Sequence, residues 1–166
     1  MTSAAAARSG PAGSPPGLAA AHGDAYECAQ AWSALTAAHA RISGRLSAAL
    51  AGRCGLTIND FEILLRLDRA PGQRVRPGEL RPGVPLTQPA LSRALARLAD
   101  RGLVRRAGAP ADRRGVLIAI TPAGRKLLRD AIPVHASVIH GVLLDQLTAE
   151  EQEVLARVLS RVAADG

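Results

Sequence analysis

The sequence predicts a mainly α-helical protein that carries one small β-hairpin. Apolar residues recur at alternating steps of three and four along much of the chain, which is typical of amphipathic helices. Only two short runs, at 103–106 and 115–121, have a β-type composition. The chain has 166 residues, which favours one domain and is enough to bury a core.

We expect residues 1–23 to form a disordered tail. They are mostly Ala, Gly, Ser and Pro, and they contain too few large apolar side chains to offset the entropy lost on ordering. The domain itself is predicted to span residues 24–164. It begins with a long helix at about 24–53, on which Trp32 and His39 fall on one largely apolar stripe.

A second, mostly buried helix is predicted to follow Thr57. Thr57 and Asp60 have the spacing of a capping arrangement, and Ala-Pro-Gly at 70–72 stops the helix. Residues 73–86 contain so many Pro and Gly that we expect at most a short helical turn near Glu79.

The segment TQPALSRALARLADRG predicts a third helix with two distinct faces. Thr87 is placed to cap its start, and Gly102 is placed to end it. Leu91, Leu95 and Leu98 form an apolar stripe, whereas polar side chains occupy another side. One face is therefore expected to pack against the core while the other is exposed.

The hairpin that follows is predicted to have a basic tip. Its strands are joined by the turn-rich stretch AGAPAD, and Arg113 and Arg114 lie beside this turn. Asp112 is acidic within the basic tip, and we expect it to pair with a neighbouring Arg.

Two more helices complete the predicted domain. Thr121 and the Pro after it start the first of them, which the interior Pro133 is expected to kink or split. Thr148 and Glu151 have capping-box spacing and start the last helix.

Positive charge is concentrated in the middle of the chain. Residues 66–129 contain 15 Arg and Lys and four acidic residues, a net charge of +11, whereas the rest of the chain carries −4. Codon bias alone would make the chain basic throughout, so this segregation favours a polyanionic partner, with nucleic acid as the leading candidate. A solvated basic surface without a partner is the alternative.

Several kinds of site find no support in the sequence. Two Cys without CxxC spacing argue against a disulfide scaffold or a structural zinc site. His135 and His140 do not share a helix face, so we expect neither a metal nor a cofactor. The sequence shows no Gly-rich phosphate loop, GxSxG elbow or HExxH pattern, and no enzymatic activity is predicted.

Targeting and stacking signals are also missing from the sequence. It shows no secretion signal and no apolar run of bilayer length, which predicts a cytoplasmic protein without membrane contact. The chain has one Trp, one Tyr and one Phe, too few to stack the bases of a single strand. Duplex DNA is therefore the expected nucleic acid.

The order helix, short turn, helix and hairpin is that of a winged helix-turn-helix. A helix with Gln and Arg on its polar face fits a major groove, because Arg pairs with guanine and Gln with adenine. A basic hairpin tip fits the adjacent minor groove. The residues expected to contact DNA are Thr87, Gln88, Ser92, Arg93 and Arg97 on the helix, Arg113 and Arg114 at the tip, and Arg74 and Arg76 at phosphates.

Three further arginines are weaker candidates for DNA contact. We expect Arg101, Arg105 and Arg106 to orient the hairpin or to pair with Asp100.

The stretch LSRALARLADRGLVRRAGAPADRRGVLIAITPAGRKLL resembles the MarR family of bacterial transcriptional regulators. The shared features are the leucine-rich helix, the GLV strand start, the DRR wing and the turn that here reads ITPAG. The resemblance implies a homodimeric winged helix protein, with a DNA-binding lobe at about 57–122 and dimerisation helices at about 24–53 and 123–164. It also implies a pseudo-palindromic site whose halves lie about 10 base pairs apart.

One segment departs from the family pattern. RPGELRPGVP stands where the family usually has a regular helix, so the first half of the helix-turn-helix is expected to be shortened or bent.

The resemblance also raises the question of an effector, because members of the family often release DNA on binding a small anionic or phenolic ligand or on cysteine oxidation. Trp32, His39 and Phe61 are candidates for lining a ligand pocket, with ordinary core packing as the favoured alternative. Cys28 and Cys54 are interpreted as inert thiols.

The function predicted from the sequence is that of a homodimeric transcriptional regulator that binds duplex DNA, either ligand-responsive or constitutive, with repression favoured over activation. The alternative is a winged helix interaction module or antagonist whose basic face binds an acidic partner protein.

Overall fold

The computed structural model describes residues 17–109 and 112–164, and it describes side chains at 26–80, 84–108 and 116–164. The helices and strands are α1 (Gly17–Cys54), α2 (Ile58–Arg69), β1 (Arg74–Val75), α3 (Gln88–Asp100), β2 (Val104–Ala109), β3 (Asp112–Ile120), α4 (Pro122–Val142) and α5 (Ala149–Ala164). The strands form an antiparallel sheet in the order β1-β3-β2. The mainly α fold class with a hairpin is confirmed.

The chain divides within α1 into one unit that ends at His39 and one that begins at Ala40. In the first unit the helix begins at Gly17, seven residues before the predicted start at Asp24. Alanine is the strongest helix former, and the run of Ala at 19–21 favours this earlier start. Part of the predicted disordered tail is therefore helical, and residues 1–16 lie outside the described residues.

The described side chains of the first unit are exposed to solvent. Tyr26 and Trp32 each have 67% of their surface accessible, and the Thr36 hydroxyl donates a hydrogen bond to the Trp32 carbonyl at 2.9 Å. This part of α1 therefore presents aromatic surface that no described part of its own unit covers.

The second unit is built around one hydrophobic core. α2 packs on β3, α3 and α4, and α3 packs on α2 and β2; burying their apolar side chains is the main source of stability. The largest hydrophobic side chains buried in this core are Leu50, Leu56, Phe61, Ile63, Leu64, Leu67, Leu80, Leu91, Leu98 and Leu128. The stripes predicted for α2 and α3 both lie in this core.

α2 begins with the predicted capping arrangement. The Asp60 N–H donates to the Thr57 hydroxyl, and the Thr57 N–H donates to the Asp60 carboxylate, each at 3.1 Å. The helix ends at Arg69 with Ala70 as its C-cap, and Gly72 adopts a φ of +64° in the turn that follows. Local sequence signals therefore placed both ends of α2 correctly.

β1 is a strand that the sequence analysis did not predict. Arg74 pairs with Ala119 and Val75 pairs with Ile118, which adds a third strand beside the hairpin. Two residues are too few to show an alternating pattern, and the pairing joins segments far apart in the chain. The predicted two-stranded hairpin is therefore corrected to a three-stranded sheet.

The Pro-rich and Gly-rich segment before α3 forms a short 3-10 helix at Pro77–Gly83. This confirms that the first half of the helix-turn-helix is shortened. The Arg76 N–H donates to the Glu79 carboxylate at 3.1 Å, which caps the start of this helix.

α4 is continuous through Pro133, so the predicted split does not occur. Pro133 has no N–H to donate to the Arg129 carbonyl, which lies four residues earlier in the helix. Both residues are exposed. The missing hydrogen bond therefore falls on the solvent side of the helix, which is where proline is best tolerated inside a helix.

The segment Pro122–Gln146 also has the length and apolar composition of a membrane-spanning helix, with a mean hydropathy of 1.3 over 18 residues of which 11% are buried. The sequence analysis had found no such run, because the apolar residues are interrupted by Pro, His and Ser. A single segment of this kind is weak evidence for a membrane span.

α5 starts with the predicted capping box and buries no side chain. The Glu151 carboxylate accepts hydrogen bonds from the Thr148 N–H at 2.8 Å and from the Thr148 hydroxyl at 3.0 Å. Val154, Leu159 and Val162 have 42%, 42% and 71% of their surface exposed. The apolar face of α5 is therefore left uncovered by the part of the chain that the structure describes.

Candidate nucleic-acid interface

α3 has the two faces that its sequence predicts. Leu91, Leu95 and Leu98 are buried, with exposures of 0%, 7% and 0%. Polar side chains are exposed along the other side, and those predicted to contact DNA are Thr87, Gln88, Ser92, Arg93 and Arg97. A helix held by leucines on one side therefore presents a polar surface to solvent.

Arg93 lies near the middle of this exposed surface. Within the part of the chain that the structure describes, its guanidinium makes no hydrogen bond or ion pair. Its five N–H donors are thus available, and Arg is the residue that most often recognises guanine in a major groove.

Arg97 differs from Arg93 because it binds a buried carboxylate. Its Nη2 donates to Asp60 Oδ1 at 2.7 Å, and the Asp60 side chain is 2% exposed while that of Arg97 is 48% exposed. The sequence predicts DNA contact for Arg97 and gives no sign of this partner, which lies 37 residues away in the chain.

Arg101 also binds within the fold. Its Nη1 donates to the Gly55 carbonyl at 2.8 Å, at the end of α1. Among the described residues Arg101 forms no ion pair with Asp100, and its role in orienting the hairpin stays a prediction.

The ITPAG segment at the start of α4 is hydrogen-bonded to the end of α3. The Thr121 hydroxyl donates to the Gly102 carbonyl at 2.7 Å and accepts from the Gly124 N–H at 3.0 Å. Gly102 has a φ of +70°, as expected for the residue that ends α3. Thr121 therefore caps α4 and fixes the end of α3 with the same oxygen.

Thr87 occupies the N-cap position of α3 in an extended conformation, but its hydroxyl makes no capping hydrogen bond. Pro89 lies in the first turn, where the missing N–H costs little. The predicted position of Thr87 is therefore right, and the predicted side-chain cap is not formed.

A groove of about 450 Å³ runs between α3 and the hairpin. Ser92, Ala96 and Asp100 line it from α3, and Arg105 and Arg106 line it from β2. Both arginines are exposed, so the polar face of α3 and the basic strand β2 share one concave surface. The sequence analysis gave these two arginines less weight because strand residues show their facing only after the register is known.

Arg74 and Arg76, predicted at phosphates, are both exposed on or beside β1. The residue before them, Gln73, has a φ of +56°, which is uncommon for a residue with a side chain. Its amide accepts from Arg125 at 2.8 Å and donates to Asp68 at 3.0 Å. This chain of hydrogen bonds connects α2, β1 and α4 and holds the segment that carries Arg74.

The hairpin tip is described only by its backbone. Arg113 and Arg114 belong to β3, and Asp112 pairs with Ala109 across the hairpin. The side chains at 109–115 lie outside the described part, as do Pro110 and Ala111 altogether. The minor-groove contacts of Arg113 and Arg114 and the ion pair of Asp112 therefore stay predictions.

The three candidate ligand-binding residues have different environments. Phe61 is 2% exposed and stacks on His135 with ring centroids 4.7 Å apart and an angle of 11° between the planes. Trp32 and His39 are exposed and belong to the first unit of the chain. The hypothesis that these residues share a ligand site stays a prediction.

Comparison with known proteins gives a consistent result. A model described as MarR family matches residues 55–115. The chain is similar to the multiple antibiotic resistance protein MarR of Escherichia coli K12, with 33% identity over 107 residues that cover 64% of this chain and 73% of that protein. It is 40% identical to transcriptional regulator HosA of Escherichia coli O111:H- over 76 residues, 46% of this chain and 56% of HosA. The similarity thus spans just over half the length of HosA.

Among solved structures, the chain is similar to that of Sco3205 from Streptomyces coelicolor, a MarR family transcriptional regulator in complex with DNA. The TM-score is 0.78 at 30% identity, and the similarity covers 83% of this chain and 86% of Sco3205.

Proposed function

Because the chain belongs to the MarR family, we propose that it is a transcriptional regulator, a cytoplasmic homodimeric repressor that binds a pseudo-palindromic operator in duplex DNA. The family consists of regulators rather than enzymes, and no catalytic role is assigned to any residue.

The observation that carries this proposal is the exposed polar face of α3 beside the basic strand β2. Gln88, Ser92 and Arg93 are exposed over a buried leucine stripe, which is the arrangement that reads base edges in a major groove. Arg105 and Arg106 share the groove with Ser92, where they supply positive charge for a phosphate backbone.

The homodimer is supported by the uncovered apolar side chains of the C-terminal helices. α5 buries none of its side chains, although several of them are large and apolar. Val154, Val158 and Leu159 are each at least 36% exposed. A contiguous apolar face of this kind marks an interaction surface. We place the second subunit on it, because two-fold symmetry matches two α3 helices to two half-sites.

A small-molecule effector that releases the DNA is part of the proposal. The candidate residues for its site are still Trp32, His39 and Phe61, and ordinary packing of Phe61 in the core is the competing interpretation.

The test of DNA binding is the salt dependence of affinity for a random duplex. Each phosphate neutralised by Lys or Arg contributes about −0.9 to the slope of log K against log salt, so a dimer that makes six or more such contacts should give a slope of roughly −5 or steeper. The alternative, a basic face that binds an acidic protein, predicts no measurable duplex binding at moderate salt. Selection of bound fragments from the source genome then identifies the operator.

A further inference from the structure

The two ends of α3 are attached to the rest of the fold to different extents. Before its start lies the short 3-10 helix Pro77–Gly83 instead of a regular helix, and the Thr87 hydroxyl makes no cap. Its C-terminal half is bound through Arg97, Arg101 and the Gly102 carbonyl to α2, the end of α1 and the start of α4. The leucine stripe packs along the whole of α3, whereas its hydrogen bonds to other elements lie at its C-terminal half.

Asp60 is the buried part of this attachment. Its Oδ2 accepts from the Thr57 N–H at 3.1 Å and its Oδ1 accepts from Arg97 at 2.7 Å, so both oxygens are occupied. Asp60 is the only charged or polar residue that is buried among those the structure describes, at 1% exposure. Burying a carboxylate is costly unless it is paired and hydrogen-bonded, and Arg97 supplies that pairing.

Arg101 forms the second part of the attachment, at the surface. Gly55 follows the last turn of α1 with a φ of +60°, and its carbonyl lies at the C-terminal end of that helix. The negative end of the helix dipole favours a cation there. The guanidinium of Arg101 therefore ties α3 to the end of α1.

We propose that Arg97 and Arg101 are positioning residues, which hold α3 at the angle that DNA recognition requires through Asp60 and the Gly55 carbonyl, and that they do not read bases. This inference rests on the proposed DNA binding and reassigns one of the predicted base-reading residues. The clamp of Asp60–Arg97 and Gly55–Arg101 takes over the support that a regular helix before α3 would give. Arg93, which has no partner within the described residues, remains a base reader.

Asp60→Asn gives the clearest test, because two models predict opposite signs. The substitution removes a negative charge, so a purely electrostatic account predicts that operator binding becomes tighter. The clamp predicts weaker operator binding by roughly ten- to hundredfold, the range expected when a hydrogen bond between charged groups is lost, with no loss of binding to random duplex. Fluorescence anisotropy with operator and random duplexes measures both affinities.

Arg→Gln substitutions at 93, 97 and 101 form a matched series, because each removes one positive charge from α3 or from its C-cap residue. Selection from random DNA should return an altered base at one position per half-site for Arg93→Gln. Arg97→Gln and Arg101→Gln should return the wild-type consensus with a reduced ratio of operator to random affinity. Arg97→Lys should restore most of that ratio, because the observed contact is a single N–H to one oxygen.

Circular dichroism of each variant shows whether it is folded. If Asp60→Asn does not fold, Arg101→Gln provides the test, because the Arg101 substitution leaves no buried charge unpaired. The clamp is overturned if folded Asp60→Asn binds the operator as tightly as wild type, or if Arg101→Gln changes the consensus. Failure of the wild-type protein to bind any duplex overturns the proposed function instead, so the two failures are distinguishable.

Discussion

Gly124 shows how closely the start of α4 approaches the sheet. A Cβ at this position would lie 2.2 Å from the Leu103 carbonyl oxygen and 2.9 Å from Ile120 Cγ1. The same Leu103 oxygen accepts the Thr121 N–H at 3.0 Å, so it cannot move away without loss of a hydrogen bond. The requirement for glycine in the ITPAG turn is therefore steric.

Gly124→Ala should destabilise the protein by about 1–3 kcal/mol, because the extra methyl group overpacks a contact with backbone. Chemical denaturation monitored by circular dichroism measures the change. Gly141→Ala in the same helix is the control, since nothing lies within 4 Å of its Cβ position and alanine favours a helix there. Equal stability of the two variants would show that the α4 start relaxes freely.

Residue roles could be predicted only where the signal was local. The leucine stripe and exposed polar face of α3 follow from a period of 3.6 within one segment, and both are present in the structure. The partner of Arg97 lies on another helix, and no spacing in the sequence indicates that contact. Arg93 and Arg97 looked equivalent in sequence for this reason, although only one of them has a buried partner.

At the scale of elements, both capping boxes were predictable and β1 was not. Thr57 with Asp60 and Thr148 with Glu151 sit three residues apart at the start of a helix, so the pattern and the structure coincide. β1 depends on pairing with β3 across more than 40 residues of chain, which local propensity does not reveal. The absence of a regular helix before α3 was predictable because Pro and Gly act locally, although the sequence predicts only a short turn near Glu79 and not the whole 3-10 helix Pro77–Gly83.

The cap of α5 should depend on pH. Hydrogen bonds from the Thr148 backbone N–H and then from its hydroxyl lower the pKa of Glu151 from its ordinary value of 4.5. Because the folded pKa is the lower one, the stabilisation is complete above the unfolded value of 4.5 and is lost as the pH falls through the folded value. The protection of the Thr148 and Glu151 amides against hydrogen exchange, relative to the intrinsic exchange rate at each pH, should therefore decrease as the pH falls below 4.5.

Glu151→Gln serves as the comparison for this effect, since its side chain does not titrate. The protection of its first-turn amides against hydrogen exchange, relative to the intrinsic rate, should show no step in that pH range. A step of the same size in the variant would assign the acid sensitivity to another group.

At the scale of the whole molecule, α5 leaves an apolar face without a partner. The charge segregation along the chain and the winged lobe were predictable from the sequence, whereas the dimer came only from the family resemblance. An apolar stripe predicts that a helix face is covered, but it does not distinguish a core in the same chain from a second subunit. Val154, Val158 and Val162 recur at steps of four along α5, which places them on one side of the helix, and all three are exposed.

Val158→Asp should convert the protein to a monomer, because it places a charge in the proposed subunit interface. Sedimentation measures the mass, and operator affinity should fall by at least about a hundredfold when the two half-sites are no longer engaged together. Ser160→Asp adds the same charge on the opposite side of α5 and should leave the dimer intact. A dimeric Val158→Asp variant would place the interface elsewhere.

The strand order β1-β3-β2 also affects how the protein behaves at high concentration. One edge of the sheet is only two residues long, and the other carries the exposed side chains of Arg105 and Arg106. Short edges and edge arginines discourage the addition of foreign strands, which is how sheets give rise to aggregates. The same basic side chains that line the groove beside α3 thus discourage neighbouring molecules from extending the sheet.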